Sequence, residues 1–420
     1  MKSPANMPKT TSYSIVIDQP SFFQAARSVL VDETTFAIGQ VRRRPLGTTT
    51  ELIVGQWRVL NAPPNGDSFA PLMDWAVLSA SPDIGNPQTL LQRVHPRKSH
   101  LVIGVRLDGS DHDRLAVEVM DHATICSPHE IRFIGSGLIT LPEPIPAAED
   151  SLRASRTAGA LGKLFDRLRS LSVAVVGAGR GGQELARQLV AAGIRRLTLI
   201  DGDTLNLENL DAMPLSRIGD LGAGKAQQLA DALVQNQSEL SVNVVGHSVI
   251  ASESLNVLRG RRFDTVFSFV DNDVARLAVS RVCADTKTVH LDIGTSIQRE
   301  DQSVHAALRQ TGIDVRLFQP GRGCVACVPA MQQMDDVLYE LAAPPDALLR
   351  GRPMLWHEQR SGSLLHINSI AAGLAIDSWI DWLSGTIGDS FWLRAGWGSG
   401  QVPGMDRSLV GPADDCRFCK

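Results

Sequence analysis

Cysteine is scarce in this chain, with six in 420 residues, so a small fold stapled by disulfides is excluded. An excess of charge of one sign is nearly absent too. Lysine and arginine number 41 against 45 acids, a formal charge of -4, which leaves no global field to hold nucleic acid or an anionic membrane. No stretch approaches the roughly 20 apolar residues that cross a bilayer, and the opening MKSPANMPKTTSYSIVIDQP lacks the apolar core and small-residue cleavage site of a signal peptide. The expected location is the cytoplasm. Internal repeats and low-complexity tracts are also missing. What is present, 43% hydrophobic and 20% charged residues, is the composition of a packed, enzyme-sized protein with room for more than one core.

Two kinds of patterning divide the chain. Residues 1–142 carry short alternating runs, SYSIVI, ELIVGQW, HLVIGVRL and RLAVEVM, separated by turn-forming residues. They predict a smaller α+β domain with a mainly antiparallel sheet. The run PEPIPAAEDS after Leu141 marks a boundary, and residues 143–420 then alternate strands with longer helical stretches, the mark of a parallel α/β sheet. SVAVV, LTLI, SVNVVG, DTVFSFV and VHLDI read as buried strands; QELARQLVAAG, KAQQLADALVQ and ARLAVSRVCAD read as helices between them. HINSIAAGLAIDSWIDWLSG is apolar on most sides and predicts a helix buried in a core or a subunit interface.

The segment GAGRGG follows SVAVV and opens a helix, the context a phosphate-binding G-x-G-x-x-G requires. Gly177 permits the tight turn, Gly179 lets backbone N–H groups approach phosphate oxygens, and Gly182 allows close helix packing. Asp201 ends the second strand, where a carboxylate meets a ribose hydroxyl. Alone, these features suit an NAD site or a glycine turn without a ligand. Asp203, Asn209 and Lys225 on the segment leaving that strand favour ATP instead, because a lysine and paired acids suit a triphosphate with Mg²⁺. Asp271-Asn272, after DTVFSFV, puts another carboxylate at the carboxyl end of a parallel strand.

The run RASRTAGALGKLFDRLRSLSVAVVGAGRGG, followed in order by Asp201, Asp203, Asn209-Leu210, Lys225, Asp271-Asn272 and Arg276, resembles the ThiF/MoeB superfamily, the fold of ubiquitin-activating enzymes, over residues of about 150 to 420. The resemblance implies a Rossmann-like adenylation domain. Gly177, Gly179 and Gly182 would line the ATP phosphates, Asp201 would hold the ribose, Asp203 and Asn209 would border the nucleotide, Lys225 would neutralise phosphate charge, and Asp271 would bind Mg²⁺. Arg156 matches the arginine that reaches into the partner's site in the family's dimers, which implies a homodimer. One departure stands out: Ala212 occupies a position where relatives carry an arginine that stabilises the leaving pyrophosphate. Arg180 and Arg217 are near in sequence and are candidates to replace it.

Four of the six cysteines form two C-x-x-C pairs, Cys324/Cys327 and Cys416/Cys419. Together they read as a closed tetrahedral Cys₄ ligand set for a structural Zn²⁺, with a redox pair as the alternative. The superfamily has the same arrangement. Cys283 lies in a helical run and reads as a small buried side chain, and Cys126 belongs to the first half. No cysteine falls between Cys327 and Cys416, where thioester- or persulfide-forming relatives carry their nucleophile, so adenylation without a conventional catalytic cysteine is expected.

In the first half, Glu33, His95-Pro96, Ser110 and Asp113 faintly resemble a JAB/MPN metalloprotease motif. Arg93 replaces a ligand and the gap from His95 to Ser110 is too long for the usual zinc site, which implies a degenerate domain that binds a partner. The resemblances lead to three functions. The first is ATP-dependent adenylation of the C-terminal carboxylate of a ubiquitin-like or sulfur-carrier protein, with a conjugating enzyme or sulfur donor downstream. The others are a catalytically impaired scaffold for such a partner and adenylation of a non-protein carboxyl group.

Overall fold

The structure is a computed structural model that describes residues 12–32, 34–61, 74–80, 87, 101–107, 115–121, 124–135, 137–141, 155–237, 239–299, 309–328 and 363–419. The chain divides into two compact units, Met1–Glu143 and Pro144–Lys420.

The first unit is a mixed sheet with one described helix. Its elements are β1 (Ser12–Asp18), α1 (Gln19–Val31), β2 (Phe36–Leu46), β3 (Thr49–Leu60), β4 (Asp74–Ser79), β5 (Leu101–Leu107), β6 (Leu115–Asp121), β7 (Thr124–Cys126), β8 (Glu130–Gly135) and β9 (Gly137–Leu141). The strand order is β7-β6-β5-β4-β2-β3-β1-β8-β9. Antiparallel pairs predominate, with β1 parallel to both β3 and β8 and β4 parallel to β5. Phe22, Ala25, Ala26 and Val29 of α1 pack with Ile15, Ile17, Leu52 and Phe133 of the sheet, while Phe36, Ile38, Trp75 and Val77 build a second cluster. Alternation along the strands supplies both faces. Within this apolar sheet Glu51 is fully buried and is satisfied by Arg132 at 2.7 Å and Arg44 at 3.1 Å, since a buried carboxylate must be paired. Glu33, Arg93, His95, Pro96, Ser110 and Asp113 lie outside the described residues.

The second unit is a doubly wound, Rossmann-like sheet with an antiparallel extension. It comprises α2 (Ser155–Leu161), α3 (Lys163–Ser170), β10 (Ser172–Val176), α4 (Arg180–Ala192), β11 (Arg196–Ile200), a 3₁₀ turn at Leu207–Ala212, α5 (Lys225–Asn236), β12 (Ser241–Val245), α6 (Ser252–Gly260), β13 (Thr265–Ser268), α7 (Asp273–Thr286), β14 (Val289–Arg299), β15 (Arg309–Phe318), α8 (Leu365–Leu383), β16 (Phe391–Gly398) and β17 (Gly404–Leu409). The strand order is β12-β11-β10-β13-β14-β15-β16-β17, parallel through β14 and antiparallel beyond it.

Local chemistry sets the helix limits. Gly193 closes α4 at φ +127, a backbone conformation that glycine adopts without strain. Asn272 caps α7 by accepting a hydrogen bond from the Ala275 N–H at 2.8 Å. Leu258 of α6 and Val279, Val282 and Cys283 of α7 pack with Ala174, Val176, Ile200 and Val266 of the sheet, so Cys283 is a core side chain. The apolar helix α8 packs beside α4 and against β14 and β15. Its Trp379 meets Phe267 edge-on at 5.3 Å and donates its indole N–H to Thr265 at 3.0 Å. DTVFSFV is strand only as far as Ser268; Phe269 and Val270 carry the chain on to Asp271. No described helix is long and apolar enough to cross a membrane.

Candidate functional site

From β10 the chain winds outward to β11 and β12, then returns to pair β13 on the other side of β10. The carboxyl ends of β10 and β13 therefore flank a topological switch point, where helices diverge to opposite faces and leave a crevice. The glycine loop follows β10, and Asp271 follows β13.

The loop glycines serve different physical needs. Gly177 has φ +93, and a Cβ there would stand 2.5 Å from the Phe269 carbonyl oxygen. At Gly182 a Cβ would lie 1.8 Å from the Gly177 carbonyl oxygen, and at Gly181 it would enter the Phe269 ring. Gly179 differs, because a Cβ would meet nothing within 4 Å. It caps α4, so this open space adjoins the first-turn N–H groups, which helix geometry leaves without intrahelical acceptors. That is the construction of an anion site.

Asp201 braces the loop. Its carboxylate accepts the Ala178 N–H at 2.6 Å and the Asp203 N–H at 2.8 Å. Burial raises its pKa, and the two backbone hydrogen bonds counter that rise. Asp203 ion-pairs with Lys225 at 2.8 Å, and its carbonyl accepts the Lys225 backbone N–H at 2.9 Å. A bridge between Thr204 and Gly224 holds the start of α5 against the segment leaving β11. Asn209 accepts the Asn206 N–H at 3.0 Å and closes the 3₁₀ turn that also contains Ala212, whose methyl is buried at 3% exposure. Arg180 crosses from the glycine loop to this turn and pairs with Asp211 at 2.7 Å. Arg217 is exposed.

Asp271 is exposed beside the cap residue Asn272. Its main chain is fixed from below by Arg276, which donates to the Val270 carbonyl at 2.6 Å and to Asp292 at 2.6 Å. The structure thus joins the glycine loop, Asp201, Asp203 and Lys225 by direct hydrogen bonds, with Arg180 linking the loop to the turn of Asn209. Arg156 is exposed on α2.

The four paired cysteines gather at one place. The Sγ separations are 3.7 Å for Cys324–Cys327, 3.6 Å for Cys324–Cys416, 3.5 Å for Cys327–Cys419 and 3.5 Å for Cys416–Cys419. Disulfide sulfurs would be about 2.05 Å apart. Zn–S bonds near 2.3 Å place tetrahedral ligands about 3.7 Å apart, so this donor set fits such an ion. Hydrogen bonds from Cys324 and Cys419, with the Ala413 N–H at 3.3 Å, lower the pKa of Cys327 below the ordinary thiol range and favour its thiolate.

Sequence reasoning missed Asp292 and its neighbours. Arg276 was visible as the last residue of D-N-x-x-x-R, but a single acid within the strand VHLDI gave no signal of its buried partners.

The glycine geometry gives a direct test. Gly182→Ala should cost about 1–3 kcal/mol or more through overpacking, read as a lower denaturation midpoint. Gly179→Ala should stay within about 1 kcal/mol of wild type. Equal midpoints for the two variants would contradict the distinction between a packing glycine and an access glycine.

Several characterised proteins share part of this chain. SUMO-activating enzyme subunit 2 of Dictyostelium discoideum is 30% identical over 147 residues, covering 35% of this chain and 22% of that protein. Ubiquitin-like modifier-activating enzyme 5 of Caenorhabditis briggsae is 27% identical over 177 residues, 40% of this chain and 38% of that one. Adenylyltransferase and sulfurtransferase MOCS3-1 of Zea mays is 33% identical over 117 residues, 28% and 25% respectively. The chain therefore spans well under half the length of these relatives. Among solved structures, E. coli MccB with ATP aligns at 20% identity and a TM-score of 0.46, over 66% of this chain and 76% of that one. The ThiF family model matches residues 153–391, more than half of the sequence. The chain belongs to the ThiF family.

Proposed function

We propose that this protein adenylates the C-terminal carboxylate of a ubiquitin-like or sulfur-carrier protein. The observation that carries the reading is the gathering of an anion-accepting glycine loop, a lysine and several carboxylates at the carboxyl ends of parallel strands around one switch point. Relatives named as modifier-activating enzymes and as an adenylyltransferase and sulfurtransferase support it. In this reaction a carboxylate oxygen attacks the α-phosphorus of ATP, the bond to the bridging oxygen breaks, and acyl-adenylate and pyrophosphate form. No general base is needed, because the nucleophile is already an anion.

The residues would act by position and charge. Gly177, Gly179 and Gly182 would line the phosphates, with Gly179 leaving the N–H groups of α4 accessible. Asp201, besides bracing the loop, would meet the ribose. Asp203 and Asn209 would border the nucleotide, and Lys225 would neutralise phosphate charge. Asp271 would hold Mg²⁺, which supplies charge neutralisation across the phosphates when bound.

The decisive assay is partner-dependent ATP–pyrophosphate exchange. Asp271→Ala should lower exchange at least about 100-fold, the scale of a lost charge-stabilising group. A folded Asp271→Ala protein with wild-type exchange would remove Asp271 from the mechanism. A second reading, a scaffold that binds nucleotide and partner without turnover, is favoured by the buried methyl at Ala212. It predicts binding by calorimetry with no exchange for any carboxylate partner. Ala212→Arg would be a poor test, because it forces a long cation into a buried position.

We assign the four-cysteine cluster to one structural Zn²⁺, a closed set with no position left for water. Protein purified without added metal should contain close to one zinc per chain, and Cys416→Ser should lose both metal and soluble yield. Metal-free protein of full stability would refute the assignment.

We also propose a homodimer in which Arg156 completes the partner's site. Mixing inactive Arg156→Ala and Lys225→Ala chains should restore up to about a quarter of wild-type exchange if chains re-pair at random, since one site of each heterodimer keeps both residues. A monomer that turns over ATP would rule this out.

A further inference from the structure

Arg180 is the first residue of α4, directly after the cap Gly179. A cation is electrostatically misplaced there, because the N-terminal end of a helix carries partial positive charge. Its side chain is nevertheless sheltered, only 16% exposed, and its guanidinium is directed away from the α4 axis toward the turn at Leu207–Ala212. There it donates to the Glu208 carbonyl and pairs with Asp211 at 2.7 Å, while its other arm donates to the Ser363 carbonyl at 3.1 Å. Asp211 is 69% exposed.

The same arrangement occurs at the neighbouring helix. Lys225 is the first residue of α5, its side chain is 12% exposed, and its partner Asp203 is 74% exposed. Each sheltered cation, placed at a helix start where it is unfavourable, is balanced by an aspartate that faces water. Such a carboxylate is a weak partner, because solvent screens the pair and hydrates the anion well once released. A polyanion entering this edge of the sheet would replace both aspartates at small cost, and would gain two cations that the fold already holds in place.

We propose that Arg180 is a second phosphate-binding cation beside Lys225, acting on the phosphates beyond the first, with Asp211 as the counter-ion that competes with the nucleotide. This rests on the ATP reading of the site. The position of the guanidinium sets its target: the α4 N–H groups at Gly179 serve the nearest phosphate, and Arg180 extends from that point to the Asn209 turn. No other cation comes from that turn, because its last residue is the buried Ala212.

Calorimetry with ATP and AMP on the full chain tests the inference. Arg180→Gln should weaken ATP binding about 10- to 100-fold, the worth of a charge-assisted hydrogen-bonding group, and should change AMP binding less than about 3-fold. Asp211→Asn should tighten ATP binding by about 3- to 10-fold, because a competing charge has gone. A purely structural tie between loop and turn predicts otherwise: ATP and AMP would weaken together in Arg180→Gln, and Asp211→Asn would weaken ATP or leave it unchanged. Either result overturns the proposal. If Arg180→Gln does not fold, Asp211→Asn decides alone by the same criterion. A wild-type chain that binds neither nucleotide defeats the ATP reading and this inference with it; wild-type ATP binding that Arg180→Gln leaves intact defeats this inference only.

Discussion

The second unit is organised around the buried carboxylate of Asp292. The group is fully shielded from solvent, and it is held by Arg276 at 2.6 Å, Arg316 at 2.6 Å and Ser268 at 2.7 Å. Burial alone would raise its pKa; the two guanidinium groups more than offset this and hold it below the usual carboxylate value. Ser268 gives its single proton to Asp292, so at His290, 2.8 Å away, it must accept from the Nε2 proton. Burial pushes the pKa of His290 down to about 4, so the ring is neutral and adds no further charge to the core. Each arginine engages a different oxygen of the carboxylate, and removing a partner from a buried ion pair is strongly destabilising, so the three side chains act as one unit.

That constraint reaches the site through short covalent distances. Ser268 ends β13, Asp292 lies on β14, Arg316 on β15 and Arg276 on α7, so one carboxylate registers three strands and a helix. Arg276 also holds the Val270 carbonyl, the last link before Asp271. Between these points Phe269 turns its ring beneath Gly181 and its carbonyl toward Gly177. The exposed Asp271 and the glycine loop are thus two ends of one packed assembly, and the loop's shape depends on a strand distant in sequence. Rigid support below the carboxyl ends of β10 and β13 is what the proposed electrostatic catalysis would need, since preorganised charges do not reorganise as a reaction proceeds.

The sequence conveyed those parts of this arrangement that depend on local rules. Hydrophobic runs of strand length, alternating with helical stretches, announced the parallel sheet, and Gly177 to Gly182 could be placed because a glycine loop between strand and helix has few other uses. The two C-x-x-C pairs predicted their own meeting across 88 intervening residues, because a ligand set is chemically incomplete in halves. What could not be read was set by contacts between distant residues. The antiparallel extension through β15, β16 and β17 consists of strands whose partners are chosen by register and not by composition. Asp201 was legible as an acid at a strand end, but not its bracing of the loop, in which each of its oxygens accepts a backbone N–H. Asp292 was silent because burial, not residue type, makes it important.

The cysteine cluster is connected to the same assembly through α7. Phe418, between Cys416 and Cys419, packs with Val274 and Leu277 of that helix and with Ile250 and Ala326. Arg281, also on α7, lies over the Phe418 ring at 5.9 Å and donates to the Arg417 carbonyl at 3.5 Å. On the other cysteine arm, the Val325 N–H donates to Ser280 at 3.2 Å. Both halves of the cluster therefore touch α7, the helix that begins directly after Asp271-Asn272. Arg276 fixes this helix to the buried carboxylate from within, and the residues around the cysteine cluster pack on it from outside. A helix held on two sides cannot rotate without breaking one of them, so the position of Asp271 depends on the segment Cys416–Cys419 as well as on the core beneath it.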